Sequence, residues 1–153
     1  MNLPSVSYAH RQYGPWAFVL VGFALVLAIA GLLTRTQGIL PIILFGVAAV
    51  QALFGICFLH LNVVDRGDHL LIHFGPLPLF RTKIRYADID SVETGKTTLL
   101  DGWGIHMSLR GGWVWNIWGW DCVVVRHPGT LHIGSDDAEN LAAFLCTKMQ
   151  AGR

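Results

Sequence analysis

Five of the six tryptophans fall between residues 103 and 120: Trp103, Trp113, Trp115, Trp118 and Trp120. An indole combines a large apolar body with one N–H. Such a concentration can serve as packed core, as a surface facing a membrane or a partner, or as the wall of a ligand pocket, and the residue types leave all three open. Alternation along a strand puts Trp113 and Trp115 on one face. Trp118-Gly119 reads as a turn, and Trp120 opens the strand after it. The one basic cluster is the strand face Arg81, Lys83, Arg85. It is either the solvent side of a strand or a contact for anionic headgroups, where each charge contributes about 1 kcal/mol. Trp103, Trp118 and Trp120, together with Arg81, Lys83 and Arg85, are the expected interaction surface.

Other residue types offer little chemistry. The seven histidines show no metal-ligand spacing. His69 and His73 share a strand face, but four residues of strand separate them by more than about 12 Å. Asp136 and Asp137 read as first-turn residues of a helix, favoured by its dipole. No nucleophile elbow, phosphate loop or dinucleotide fingerprint occurs, and no serine has an identifiable base. The expectation is a non-enzymatic chain with no catalytic residues, cofactor or metal. The net charge is +1, and residues 62–153 carry nine basic and ten acidic side chains. Without a basic stripe, nucleic acid is not an expected partner. Cys57, Cys122 and Cys146 are odd in number and form no close pair, which suits a reducing compartment.

The elements that position these residues begin with two apolar runs, Pro15 to Leu33 and Ile39 to Leu61. Neither contains an acidic residue, Lys or Arg. Each is long enough to cross a hydrocarbon core of about 30 Å, and the five residues between them allow only a turn. They predict a transmembrane hairpin over 1–61, with helices at about 15–33 and 39–61, and the lipid bilayer as a partner. Tyr8, Tyr13 and Trp16 read as headgroup-level aromatics at its entry. Ala24 with Ala28 and Ala48 with Ala52 read as small-residue contacts between helices. Gln51 is expected to bond to the partner helix, and His60 to be wet. Ala28-Ile29-Ala30 resembles a signal-peptide cleavage site, but the apolar run continues past it. Arg11 and Arg66, with Arg81, Lys83 and Arg85 beyond, outweigh the lone Arg35 of the connecting loop. The positive-inside rule then puts both termini in the cytoplasm.

After Leu61 the period changes to two. Strands are expected at 61–65, 69–74, 81–86, 89–93, 104–110, 113–117, 121–126 and 130–133. Ser135 and Asp136 can cap a closing helix at about 136–150, whose apolar face is Leu141, Leu145 and Met149. The fold class is α+β: an antiparallel β-barrel or sandwich over 62–153, closed by one helix.

Strands first and one helix last resembles the pleckstrin-homology fold. Gly102-Trp103-Gly104-Ile105, Gly112-Trp113, Asn116-Ile117, Gly119, Asp121, Val123–Val125 and Ile133-Gly134-Ser135-Asp136-Asp137 resemble a branch of bacterial membrane proteins with an N-terminal apolar hairpin. The resemblance implies the fold and little about activity. The expected function is that of a membrane-anchored binding module, multi-pass in the bacterial inner membrane, that engages a protein partner, a peptide or the membrane surface. The alternative is an accessory subunit that contacts a larger membrane complex through its hairpin. Phosphoinositide-binding relatives carry Lys and Arg at the first strand pair. Here that turn is Arg66-Gly67-Asp68, so phosphoinositide binding is not expected.

Overall fold

The computed structural model describes residues 7–98, 102–109 and 111–151. Two helices, α1 (Trp16–Leu33) and α2 (Leu40–Cys57), follow one another near the N-terminus. Each has 18 residues, about 27 Å at 1.5 Å per residue. Their mean hydropathies are 2.6 and 2.3, so both are long and apolar enough to cross a membrane. Pro41 lies in the first turn of α2, where its missing N–H costs nothing.

The helices pack along small residues, but the seam has a spacing of seven rather than the expected four. Ala17, Ala24 and Gly31 of α1 face Pro41, Ala48 and Gly55 of α2, and all six are buried. Ala28 and Ala52 lie at its margin, half-buried. A repeat of seven keeps one stripe in contact along the whole pair. Gly55 is required there. A Cβ on it would come within 2.9 Å of a Val21 methyl and 3.2 Å of the Ala17 carbonyl oxygen, closer than packed atoms approach.

The hairpin is spliced into a sheet. Strand β1 (Ala9–Tyr13) leads into α1, and α2 leads into β2 (His60–Asp65). The two strands are antiparallel neighbours, with Tyr13 opposite His60 and Ala9 opposite Val64. Strands β3 (His69–Gly75) and β4 (Arg81–Arg85) complete a four-stranded sheet in the order β1-β2-β3-β4. A 3-10 turn at Tyr86–Asp88 crosses to a second sheet. It contains β5 (Ser91–Lys96), β6 (Gly104–Met107), β7 (Trp113–Asn116), β8 (Asp121–Arg126) and β9 (Thr130–Gly134) in the order β5-β8-β9-β7-β6. Helix α3 (Ala138–Ala151) closes the described chain.

Several expectations are corrected. Strand β1 was not foreseen. Of the expected barrel or sandwich, the two sheets form an open sandwich, and they are not wholly antiparallel, because β7 runs parallel to β9. The β8–β9 hairpin inserts between β5 and β7, so β7 meets β9 through no direct connection and its direction is not set by a turn. Strand β5 starts two residues late because the Ile89 amide donates to the Tyr86 carbonyl and prolongs the crossing turn. Strand β6 ends at Met107, and Arg110, its expected end, lies outside the described residues.

Period two does produce the core. Leu70, Ile72 and Phe74 of β3 and Ile84 of β4 meet Val123, Val125 and Ile133 of the other sheet, all in one buried cluster. Leu141, Phe144 and Leu145 of α3 join it. The Ser135 hydroxyl accepts from the Asp137 amide at 3.1 Å in the turn before α3, and Asp137, whose carbonyl accepts from the Leu141 amide at 3.1 Å, takes the cap position expected of Ser135 or Asp136. Asp65 fastens α3 to the first sheet. Its carboxylate meets Lys148 Nζ at 2.8 Å, accepts from the Tyr86 hydroxyl at 2.8 Å and accepts from the Gly67 amide at 2.7 Å.

Candidate functional site

The Trp118 turn sits at the junction between the β-structure and the helix pair, and buried amides shape it. Asn116, fully buried at the end of β7, accepts the Trp118 amide through Oδ1 at 3.1 Å and donates from Nδ2 to the Gly119 carbonyl at 3.1 Å. Gln12 of β1 donates from Nε2 to the Trp118 carbonyl at 2.8 Å. Gly119 has φ +86°, where a side chain would be strained. Trp118 is thereby turned outward onto Trp103.

The Trp103 and Trp118 rings stack at 4.9 Å and 19°. Trp16, the first residue of α1, reaches both, at 5.4 Å and 6.4 Å. Trp120 lies 6.1 Å from Trp103. All four are between 36% and 45% exposed, so they form an aromatic shelf rather than a core. Trp115 does the opposite. It is 8% exposed and stacks on Phe74 at 5.6 Å inside the sandwich. Trp113 shares its strand face but stands at the open end, 52% exposed. The cluster thus divides, with Trp115 in the core and the other rings exposed.

The basic strand does not join the shelf. Arg85 is held by Asp88 through two hydrogen bonds, at 2.8 Å and 3.1 Å, which raise its pKa further. Arg81 and Lys83 form no ion pair among the described residues. They line a groove of about 790 Å³ between β4 and the β6–β7 pair, walled by Leu79, Ile84, Ile105, Met107 and Trp113 among others. A second groove, about 670 Å³, lies at the helix junction between Trp16, Leu20, Val50, Gln51, Phe54 and Trp103. Gln51 opens into it and makes no side-chain hydrogen bond among the described residues, contrary to the expected bond to the partner helix.

Two interfacial assignments also change. Tyr8 is at the far end of β1 from the helix entry. It donates to Asp137 at 2.9 Å and stacks on Phe144 at 5.3 Å, and burial, with Asp137 beside it, pushes its pKa up. His10 pairs with Asp136. The two aspartates that read as helix-dipole residues thus hold β1 against the start of α3. His60 is buried rather than wet. It bonds to Asn62 at 2.9 Å and meets the edge of Tyr13 at 5.6 Å. Burial, then the charge of Arg11, lowers its pKa.

Sequence reasoning placed Trp16 at a membrane interface but did not bring it to Trp103. It gave no role to Gln12 or Asn116: Asn116 stands out as a polar residue at the end of the apolar β7, whereas Gln12 sits in a polar stretch that carries no such signal. Among the described residues no three His, Cys, Asp or Glu side chains converge as a metal site. No protein-family model matches the chain, and no curated protein sequence is similar to it.

Proposed function

We propose that this chain is a membrane-anchored, non-enzymatic binding module. The hairpin crosses a bilayer, both termini lie on the cytoplasmic side of a bacterial inner membrane, and the pleckstrin-homology-like β-structure is seated against the membrane surface. One observation carries the reading. The two apolar helices leave and rejoin the same sheet through adjacent strands, and Trp16 at that exit packs against Trp103 and Trp118. With no linker at either end, the β-structure has little freedom to move away from the bilayer, and indoles favour the headgroup level at which Trp16 enters. On the α2 side, Phe58 packs on Phe80 at 5.1 Å, and the adjoining loop exposes Leu77. Apolar side chains therefore flank the hairpin on both sides, as a docked surface requires. The module faces its partner with what the membrane leaves open, above all the groove beside β4.

Photo-crosslinking in native membranes tests this reading. A photoreactive residue at Met107 or Trp113 should give partner adducts, and one at the exposed Glu93, on the other edge of the second sheet, should not. Adducts that arise instead from the outer helix face, at Phe23 or Ile42, would replace the binding module with an accessory subunit that works through its hairpin.

A further inference from the structure

The sandwich is open along one seam. Strand β4 is the edge of the first sheet and β6 the edge of the second, and the groove of about 790 Å³ runs between them. Edge strands present unpaired backbone donors and acceptors, and exposed edges are normally blunted or covered. On β4 the Phe80 carbonyl accepts from the Phe74 amide. Residues on that register turn their backbone bonds toward β3, so Arg81 and Lys83 turn theirs outward along the seam. The walls are apolar. Leu79, Met107 and Trp113 are all more than half exposed there, an arrangement soluble surfaces avoid unless something covers it.

Charge selects what covers it. Among the described residues no acidic side chain lines the groove, while Arg81 and Lys83 do. The third basic residue of the strand, Arg85, is paired with Asp88. Asp68 lies within electrostatic reach of Lys83, but neither Arg81 nor Lys83 makes a close ion pair among the described residues. Strand β4 has five residues, about 17 Å of extended chain, enough to pair with a short peptide segment. Helix α3 contributes nothing to the lining, so the site is separate from the end it closes.

We propose that this seam binds an extended peptide segment of a partner protein, with alternating apolar and acidic side chains, which adds as a strand to β4. Main-chain bonds to the edge would supply affinity. Trp113, Met107 and Leu79 would receive the apolar side chains, and Arg81 and Lys83 would pair the acidic ones, the strand-addition mode of recognition. The proposal rests on the anchored-module reading and names the class of partner for it.

The test uses the full chain in phosphatidylcholine vesicles with fluorescent octapeptides of alternating Val-Asp and alternating Val-Lys. The parent should bind the Val-Asp peptide at least about 10-fold more tightly than the Val-Lys peptide, with the preference weakening as salt rises. Arg81→Glu/Lys83→Glu should reverse the preference, a gain of binding that misfolding cannot imitate. Equal binding of both peptides, or an unchanged preference in the double variant, would overturn the proposal. So would loss of peptide binding when phosphatidylglycerol is added to the vesicles, since the two cations would then belong to headgroups. Resistance to carbonate extraction reports insertion separately, so failure of the anchored-module reading and failure of the peptide site give different signals.

Discussion

At the scale of single residues, the same side chain does different work according to what its neighbours leave open. Trp115 and Trp118 are three positions apart and differ most. Trp115 closes the sandwich against Phe74, whereas Trp118 is turned out by bonds from Asn116 and Gln12 to its own backbone. Trp115→Ala should cost about 3–5 kcal/mol in chemical denaturation of the full chain in detergent. Trp118→Ala should leave that transition nearly unchanged and reduce tryptophan quenching by lipids brominated near the headgroup. Equal destabilisation by both would make the shelf part of the core.

Two buried titratable groups give the residue scale a pH signature. Burial alone would raise the pKa of Asp65, but Lys148, the Gly67 amide and the Tyr86 hydroxyl overcome it and hold it below the usual carboxylate range. A depressed carboxylate adds stability that is present above about pH 4, the unfolded value, and is lost as pH falls through the folded value. His60 is also depressed, so the folded state resists its protonation. Its contribution is intact above about pH 6.5 and is lost as pH falls and the unfolded chain takes up the proton. The stability gap between parent and His60→Gln should narrow from pH 7 to pH 5. The gap to Asp65→Asn should hold there and narrow only below about pH 4. Parallel curves in either comparison would contradict the assigned environments.

At the scale of elements, the hairpin is an insertion into a β-turn. One step beyond Tyr13 and His60 in the register, the Gly14 amide donates to the Leu59 carbonyl at 3.3 Å, the hydrogen-bonded pair that a two-residue Asn-Gly turn closes. Joining residue 14 to residue 59 through Asn-Gly should give a soluble chain that keeps cooperative unfolding and a mainly β circular dichroism spectrum. It would lose the Phe58 contacts with Phe74 and Phe80, so a lower midpoint is expected. A non-cooperative product would mean that the helices are part of the fold rather than spliced into it.

The elements also divide by how far they were legible. The helices could be read because length and an uninterrupted apolar run are local properties. So could β3, whose alternation follows from Leu70, Ile72 and Phe74 on a single buried face. Strand β1 could not, because Ala-His-Arg-Gln-Tyr buries only Gln12 and alternates nothing apolar. The β7–β9 pair could not either, since a period of two states which side chains are buried but not which strand lies alongside or in which direction. For the site, the tryptophans were visible as a group. Their division into core and shelf depended on Phe74 and Trp16, residues far away in the chain.

At the scale of the whole molecule, the fold couples a hairpin fit for a bilayer to an open sandwich, with aromatic rings at the seam between them. The account stands on the hairpin crossing the bilayer and returning the chain to its starting side. Native cysteines make that measurable. Cys146 is exposed on α3, while Cys57 and Cys122 are buried. Thr36 lies between the helices. A membrane-impermeant maleimide applied to intact cells should label Thr36→Cys and leave Cys146 unmodified until the membrane is permeabilised. Labelling of both positions from the same side, before or after permeabilisation alone, would contradict the crossing and with it the anchored module.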